Sequence, residues 1–136
     1  MISQEKLRKY VDIVEKYALT SYASMTYYPD GEIEVYIYIE EEIKFKYNRF
    51  SVYGGYDDAE YLKLNTTIYL DSQDNGVLPK EALQVSDAIK RCAFACQEIN
   101  QLRIPYRTYL SVDFVEALKQ EYKRRGKIMK VNVNRR

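Results

Sequence analysis

From Glu32 to Tyr47 the chain reads EIEVYIYIEEEIKFKY, apolar and polar in turn. Alternation with period two predicts a strand with one face in the core. Ile33, Val35, Ile37 and Ile39 fill that face, so Tyr36 and Tyr38 stand on the face that meets water. Glu41 interrupts the apolar side. One extra residue swaps the faces of a strand, so a bulge near Glu40–Glu42, or a break into two short strands, is expected there. A second alternating run covers residues 60–70. It places Leu62, Leu64, Ile68 and Leu70 on one side and Tyr61, Lys63, Asn65, Thr67 and Tyr69 on the other.

Elsewhere the apolar positions recur at helical spacing. Leu7, Tyr10, Val11, Val14, Tyr17 and Ala18 predict a helix over residues 3–18, capped by the Ser3 hydroxyl. A strand over residues 20–28 and a turn at Pro29-Asp30-Gly31 follow. Gly54 to Asp58 reads as a loop, and Ser72 to Gly76 as the end of the sheet. Pro79 suits the first turn of a helix that runs to about Asn100. Pro105 breaks the chain. Asp113 and Glu116, in capping-box spacing, open a last helix over 112–125, and Gly126 stops it. Ile128, Lys130, Val131 and Val133 fit a short final strand or an extended arm. The expected fold is α+β: an N-terminal helix, a three- to four-stranded antiparallel sheet, two helices and a basic C-terminal arm or short strand. It forms one domain over residues 1–136, with 127–136 as a basic tail.

This order of helix, strands and helix resembles that of double-stranded-RNA-binding domains in element order alone. That family's Gly-Pro-x-His loop is absent. Leu78-Pro79-Lys80-Glu81-Ala82 carries an acid where its Lys-Lys-x-Ala-Lys helix start carries bases. No family is assigned on this ground.

Composition narrows the chemistry. The 136 residues include no histidine, which removes the commonest general base and metal ligand at neutral pH. Ser-His-Asp and Cys-His nucleophiles are therefore excluded. Cys92 and Cys96 share a helix face, but they lie within the apolar stripe Val85, Ala88, Ile89, Cys92, Cys96 and Ile99, so core thiols are expected, with no metal and no cofactor. Glu40-Glu41-Glu42 reads as a solvated acidic edge, and Asp71–Gly76 as a turn. No run of about 18 apolar residues spans a membrane, and the charged start MISQEKLRKY lacks a signal-peptide core. A cytoplasmic, non-enzymatic protein is expected. Abundant Lys, Ile, Tyr, Asn and Glu suit an AT-rich genome such as that of a phage or mobile element, for which a binder of a host factor is a natural role.

Two features carry the functional expectation. Fifteen tyrosines stand against four phenylalanines and no tryptophan. Tyr22, Tyr28, Tyr36, Tyr38, Tyr61 and Tyr69 are expected on the sheet face opposite the core, as an interface for a second copy or another protein. Charge is also divided: residues 119–136 carry a net +7 and the remainder −6, which together make the overall +1. Lys123, Arg124, Arg125, Lys127 and Lys130 are thus the candidates for binding nucleic acid, the alternative function. Arg103 and Arg107, beside Tyr106 and Tyr109, form a candidate cluster for a small anionic or nucleotide ligand.

Overall fold

The computed structural model describes residues 2–45, 48–72 and 79–136. Helix α1 (Gln4–Lys16) opens as the cap predicts, with Ser3 Oγ accepting from the Lys6 N–H at 3.2 Å. Four strands follow in sequence: β1 (Thr20–Tyr27), β2 (Ile33–Lys44), β3 (Asn48–Tyr56) and β4 (Leu64–Ser72). Then come α2 (Pro79–Asn100), the single turn α3 (Tyr106–Tyr109), α4 (Val112–Arg124) and β5 (Lys130–Arg135). The expected turn at Asp71–Gly76 lies largely outside the described residues.

The sheet has five strands in the order β4-β3-β2-β1-β5. It is mixed rather than antiparallel, because β5 pairs parallel to β1 from Tyr22↔Lys130 to Tyr27↔Arg135. Gly126, at φ +75, ends α4, the Lys127 N–H closes on the Tyr122 carbonyl at 2.8 Å, and the chain turns back along β1. The basic arm is thus an edge strand.

Strand β3 replaces part of the expected loop at residues 54–58. Its glycines are required by close approach rather than by a turn. A Cβ on Gly54 would stand 3.0 Å from Ile39 Cγ1 and 3.3 Å from Cys96 Sγ, and one on Gly55 would stand 2.9 Å from Thr67 Oγ1.

No bulge forms in β2. The register is continuous from Ile33 to Lys44, and Glu41 stays on the helix-covered face. Arg91 of α2 resolves the conflict: it donates to the Glu41 carboxylate, to Asp87 at 2.9 Å and to the Tyr17 carbonyl at 2.9 Å. An acid on the core side keeps its register when a cation meets it there.

The core lies between one sheet face and the helices. Val35, Ile37, Ile39, Val52, Leu64, Leu7, Val11, Val14, Ala88, Cys92, Ile99, Phe114 and Leu118 are buried there. Both cysteines are buried, as expected, with Sγ atoms 4.0 Å apart. Among the described residues no helix is long and apolar enough to cross a membrane.

Candidate functional site

Pairing places Tyr22 opposite Tyr38, and Ala23 opposite Ile37. Successive side chains alternate faces, so burial of Ala23 and Ile37 turns Tyr22, Tyr36 and Tyr38 outward. Opposite Glu40, β3 supplies Tyr53 to the same face. Tyr38 is the hub. Its ring stacks with Tyr22 at 6.4 Å, Tyr36 at 6.2 Å and Tyr56 at 5.9 Å, and meets Tyr53 edge-on at 5.6 Å. These separations fit offset-stacked and edge-to-face aromatic pairs. Burial, and then the neighbouring Tyr36, push the Tyr38 hydroxyl above the ordinary tyrosine range.

Tyr56 joins this face to the core. Strands β2 and β3 pair only from Glu40↔Tyr53 to Lys44↔Arg49, while β3 continues beside β4 as far as Tyr56↔Leu64. Beyond Glu40 a seam therefore opens between β2 and β3. Tyr109 fills it from the helix side, donating from Oη to the Ile37 carbonyl at 3.3 Å and lying 2.9 Å from Tyr10 Oη. Tyr56 sits in the same seam, edge-on to Tyr109 at 5.9 Å and to Tyr106 at 6.1 Å. Its hydroxyl is buried near the Ile37 carbonyl but outside hydrogen-bonding geometry, and burial raises its pKa well above the ordinary value. An unbroken chain of rings thus runs from Phe114 through Tyr10, Tyr109 and Tyr56 to Tyr38.

The rim of the face is mixed. Glu34, Glu40, Glu42 and Lys44 share its side of β2. Burial, and then Glu42, raise the Glu40 carboxyl, against the pull of Lys130. Strand β5 completes the border: Asn132 Nδ2 donates to Tyr22 Oη at 2.8 Å, and Lys130 Nζ lies 5.7 Å from the Tyr22 ring centre.

Three of the six predicted tyrosines, Tyr22, Tyr36 and Tyr38, come together. Tyr69 is on the same face, opposite Ser51, but out on the edge strand and away from the ring cluster. Tyr28 lies beyond the end of β1, in the turn where its N–H donates to the Glu32 carbonyl at 2.9 Å. Tyr61 is not on the sheet at all. It bridges Pro105, and the Arg103 guanidinium lies 4.2 Å from its ring centre. Sequence reasoning missed Tyr53 and Tyr56 because it left β3 undrawn. The alternation of Tyr53 with Val52 and Gly54 carried the signal, obscured by the paired glycines, whereas Tyr56 shares the parity of Val52 and Gly54 and pairs with buried Leu64.

The proposed anion cluster does not assemble around one point: Tyr109 is fully buried, Tyr106 faces Tyr56, and Arg103 covers Tyr61. Arg107 is exposed on α3.

The basic segment is largely engaged within the chain. Glu121 is buried at 3% exposure and accepts from Arg124 at 2.7 Å and from Arg125 at 2.7 Å. The hydrogen bond from Arg124 is the main cause that holds its carboxyl below the usual range, with Arg125 adding to it and burial opposing. Arg125 also reaches Asp12 at 2.7 Å, and Lys127 reaches Glu15 at 3.0 Å, which ties α4 to α1. Lys123 and Lys130 remain exposed. Among the described residues, no group of three or more Cys, Asp or Glu gathers as a metal site. Comparison with family models, curated proteins and solved structures returned no match to this chain.

Proposed function

We propose that this protein acts by binding, without catalysis, and that its contact surface is the tyrosine-bearing sheet face. The observation that carries the reading is the uncovered cluster of Tyr22, Tyr36, Tyr38 and Tyr53, locked from beneath by Tyr56. Rigid rings lose little side-chain freedom on contact and offer both apolar area and hydroxyls, which favours them at the centres of protein interfaces. Glu34, Glu40 and Glu42 at the rim suit a protein partner with basic residues around an apolar centre. The same acids repel phosphates, which ranks nucleic acid second. A cytoplasmic setting agrees with two buried, unpaired thiols.

The test compares the wild type with Tyr36→Ser/Tyr38→Ser as bait in extract of the native host cell, alongside titration of both with single-stranded DNA and RNA. The expected result is a stoichiometric protein partner retained by the wild type and lost by the variant, while the variant still unfolds cooperatively with the helical signal of the wild type. Salt-steep nucleic-acid binding that survives the tyrosine changes and falls on Lys123→Ala/Lys130→Ala would overturn the reading.

A further inference from the structure

The two edges of the sheet are built differently. At one edge, β5 carries Lys130 and Arg135, and the Arg136 N–H continues the ladder to the Tyr27 carbonyl at 3.0 Å. Charged, short edge strands resist pairing with a copy of themselves. At the other edge, the first seven residues of β4, Leu64-Asn65-Thr66-Thr67-Ile68-Tyr69-Leu70, carry no charge, proline or glycine, and the charge of Asp71 comes only at the strand's end. Ile68, Tyr69 and Leu70 are 48%, 56% and 47% exposed, which is unusual for three successive large apolar residues.

Among the described residues, the chain covers the start of this edge and leaves the rest open. The Leu62 N–H donates to the Ile104 carbonyl at 2.7 Å. The Asn100 side chain occupies both main-chain groups of Leu64, accepting from its N–H at 2.7 Å and donating to its carbonyl at 3.1 Å. Main-chain groups alternate sides along an antiparallel strand, so Thr66, Ile68 and Leu70 turn theirs to the same free side as Leu64. No described residue pairs with them there.

Helix α2 extends the surface upward. It packs on both β3 and β4. Asn100 marks the helix flank above β4, and Arg91, paired with Glu41 of β2, marks the opposite flank. At helical spacing, Ala82, Ser86, Ile89 and Ala93 fall on the Asn100 flank, and none carries charge.

We propose that a second copy of this chain pairs along β4, antiparallel, about a two-fold axis through Ile68. The three open residues are symmetric about Ile68, so Ile68 meets its own copy while Thr66 meets Leu70 in both directions. Each copy then satisfies what the other presents, and Asn100 ends the ladder at both sides. The helices fit the same axis. Two α2 helices, each centred between its own β3 and β4, stand two strand spacings apart, or about 10 Å, which matches packed helices at about 8–10 Å. From Leu64 to Ile68 is about 14 Å, or about nine helical residues back from Asn100, so Ile89 and Ala93 meet near the axis. A contact about 25 Å long and about 20 Å deep buries on the order of 1,000 Å² in total, the low end for a specific dimer, so the dimer is expected to dissociate on dilution. The tyrosine faces of both copies remain open on one side of a single continuous sheet. The pairing does not depend on the function proposed for that face.

Sedimentation velocity across a wide concentration range tests it. The wild type should approach twice its 16.1 kDa mass at high concentration. Ile68→Lys on the strand and Ala93→Glu on the helix, both at exposed positions, should each weaken the dimer at least tenfold without changing the monomer's melting. Ile68→Cys should cross-link to itself with a short bis-maleimide, since the native thiols are buried, whereas a cysteine in place of Ser24 on the tyrosine face should not. A monomer at every concentration overturns the proposal. So does a dimer that ignores both charge substitutions, or one that is lost on Tyr36→Ser/Tyr38→Ser.

Discussion

Two groups of tyrosines occupy opposite sides of one sheet. On the helix side, Tyr10, Tyr109 and Tyr122 are buried, and each hydroxyl has a partner: Tyr10 with Tyr109 at 2.9 Å, and Tyr122 with Ser21 at 2.7 Å. On the open side, Tyr22, Tyr36, Tyr38 and Tyr53 meet mostly through their rings. One residue type therefore does two jobs. Inside, the hydroxyl closes main-chain and side-chain gaps that a phenylalanine would leave unsatisfied. Outside, the ring supplies apolar area and the hydroxyl keeps it compatible with water. Tyr56, in the seam, belongs to both groups and lacks the hydrogen bond the inner group has.

The largest expected effect is alkaline. Burial holds the Tyr10 and Tyr109 hydroxyls well above their ordinary value, so folding favours their neutral form. Their contribution is complete below about pH 10, the unfolded tyrosine value, and is lost as pH rises beyond it. The last part of the tyrosinate absorbance should therefore appear together with the loss of helical circular dichroism, in one cooperative step in strong alkali. Full tyrosinate formation with the helix signal intact would place both groups on equal footing and break the comparison.

Next comes Tyr109→Phe. It keeps the ring but strips a donor from the Ile37 carbonyl and a partner from Tyr10, for a cost of about 1–3 kcal/mol in urea unfolding. A smaller loss than that of an outer tyrosine would show that the inner hydroxyls matter little.

Tyr36→Ser, at a ring 37% exposed, should cost only about 0.2–1 kcal/mol, the range of a cross-strand pair. A loss as large as that at Tyr109 would mean that the open face is structural rather than held for a partner.

The smallest effect is expected at Tyr56→Phe. Removing a buried hydroxyl that makes no hydrogen bond should leave stability within about 0.5 kcal/mol of the wild type, or raise it. A marked destabilisation would assign Tyr56 to the inner group.

Much of this was legible in the chain. Period-two alternation at Ile33–Ile39 put Tyr36 and Tyr38 outward, and helical spacing identified the α1 stripe and the buried Cys92 and Cys96. These are local properties, since a face is set by the backbone period once one side is apolar. What the sequence could not decide depends on partners distant along the chain. Glu41 keeps its register because Arg91, fifty residues later, lies above it. Gly54 is part of a strand because β4 pairs with it at Thr66, and it is a glycine there because Ile39 and Cys96 leave no room for a Cβ. Arg125 is drawn to Asp12 and Glu121 rather than left as part of a free basic tail. Tyr61 stands beside Arg103 instead of on the sheet. In each case the alternation or the charge was correctly visible. Only the tertiary structure decided which group would meet it, because the cost of burying a charge or crowding a backbone is set by the neighbours that folding brings.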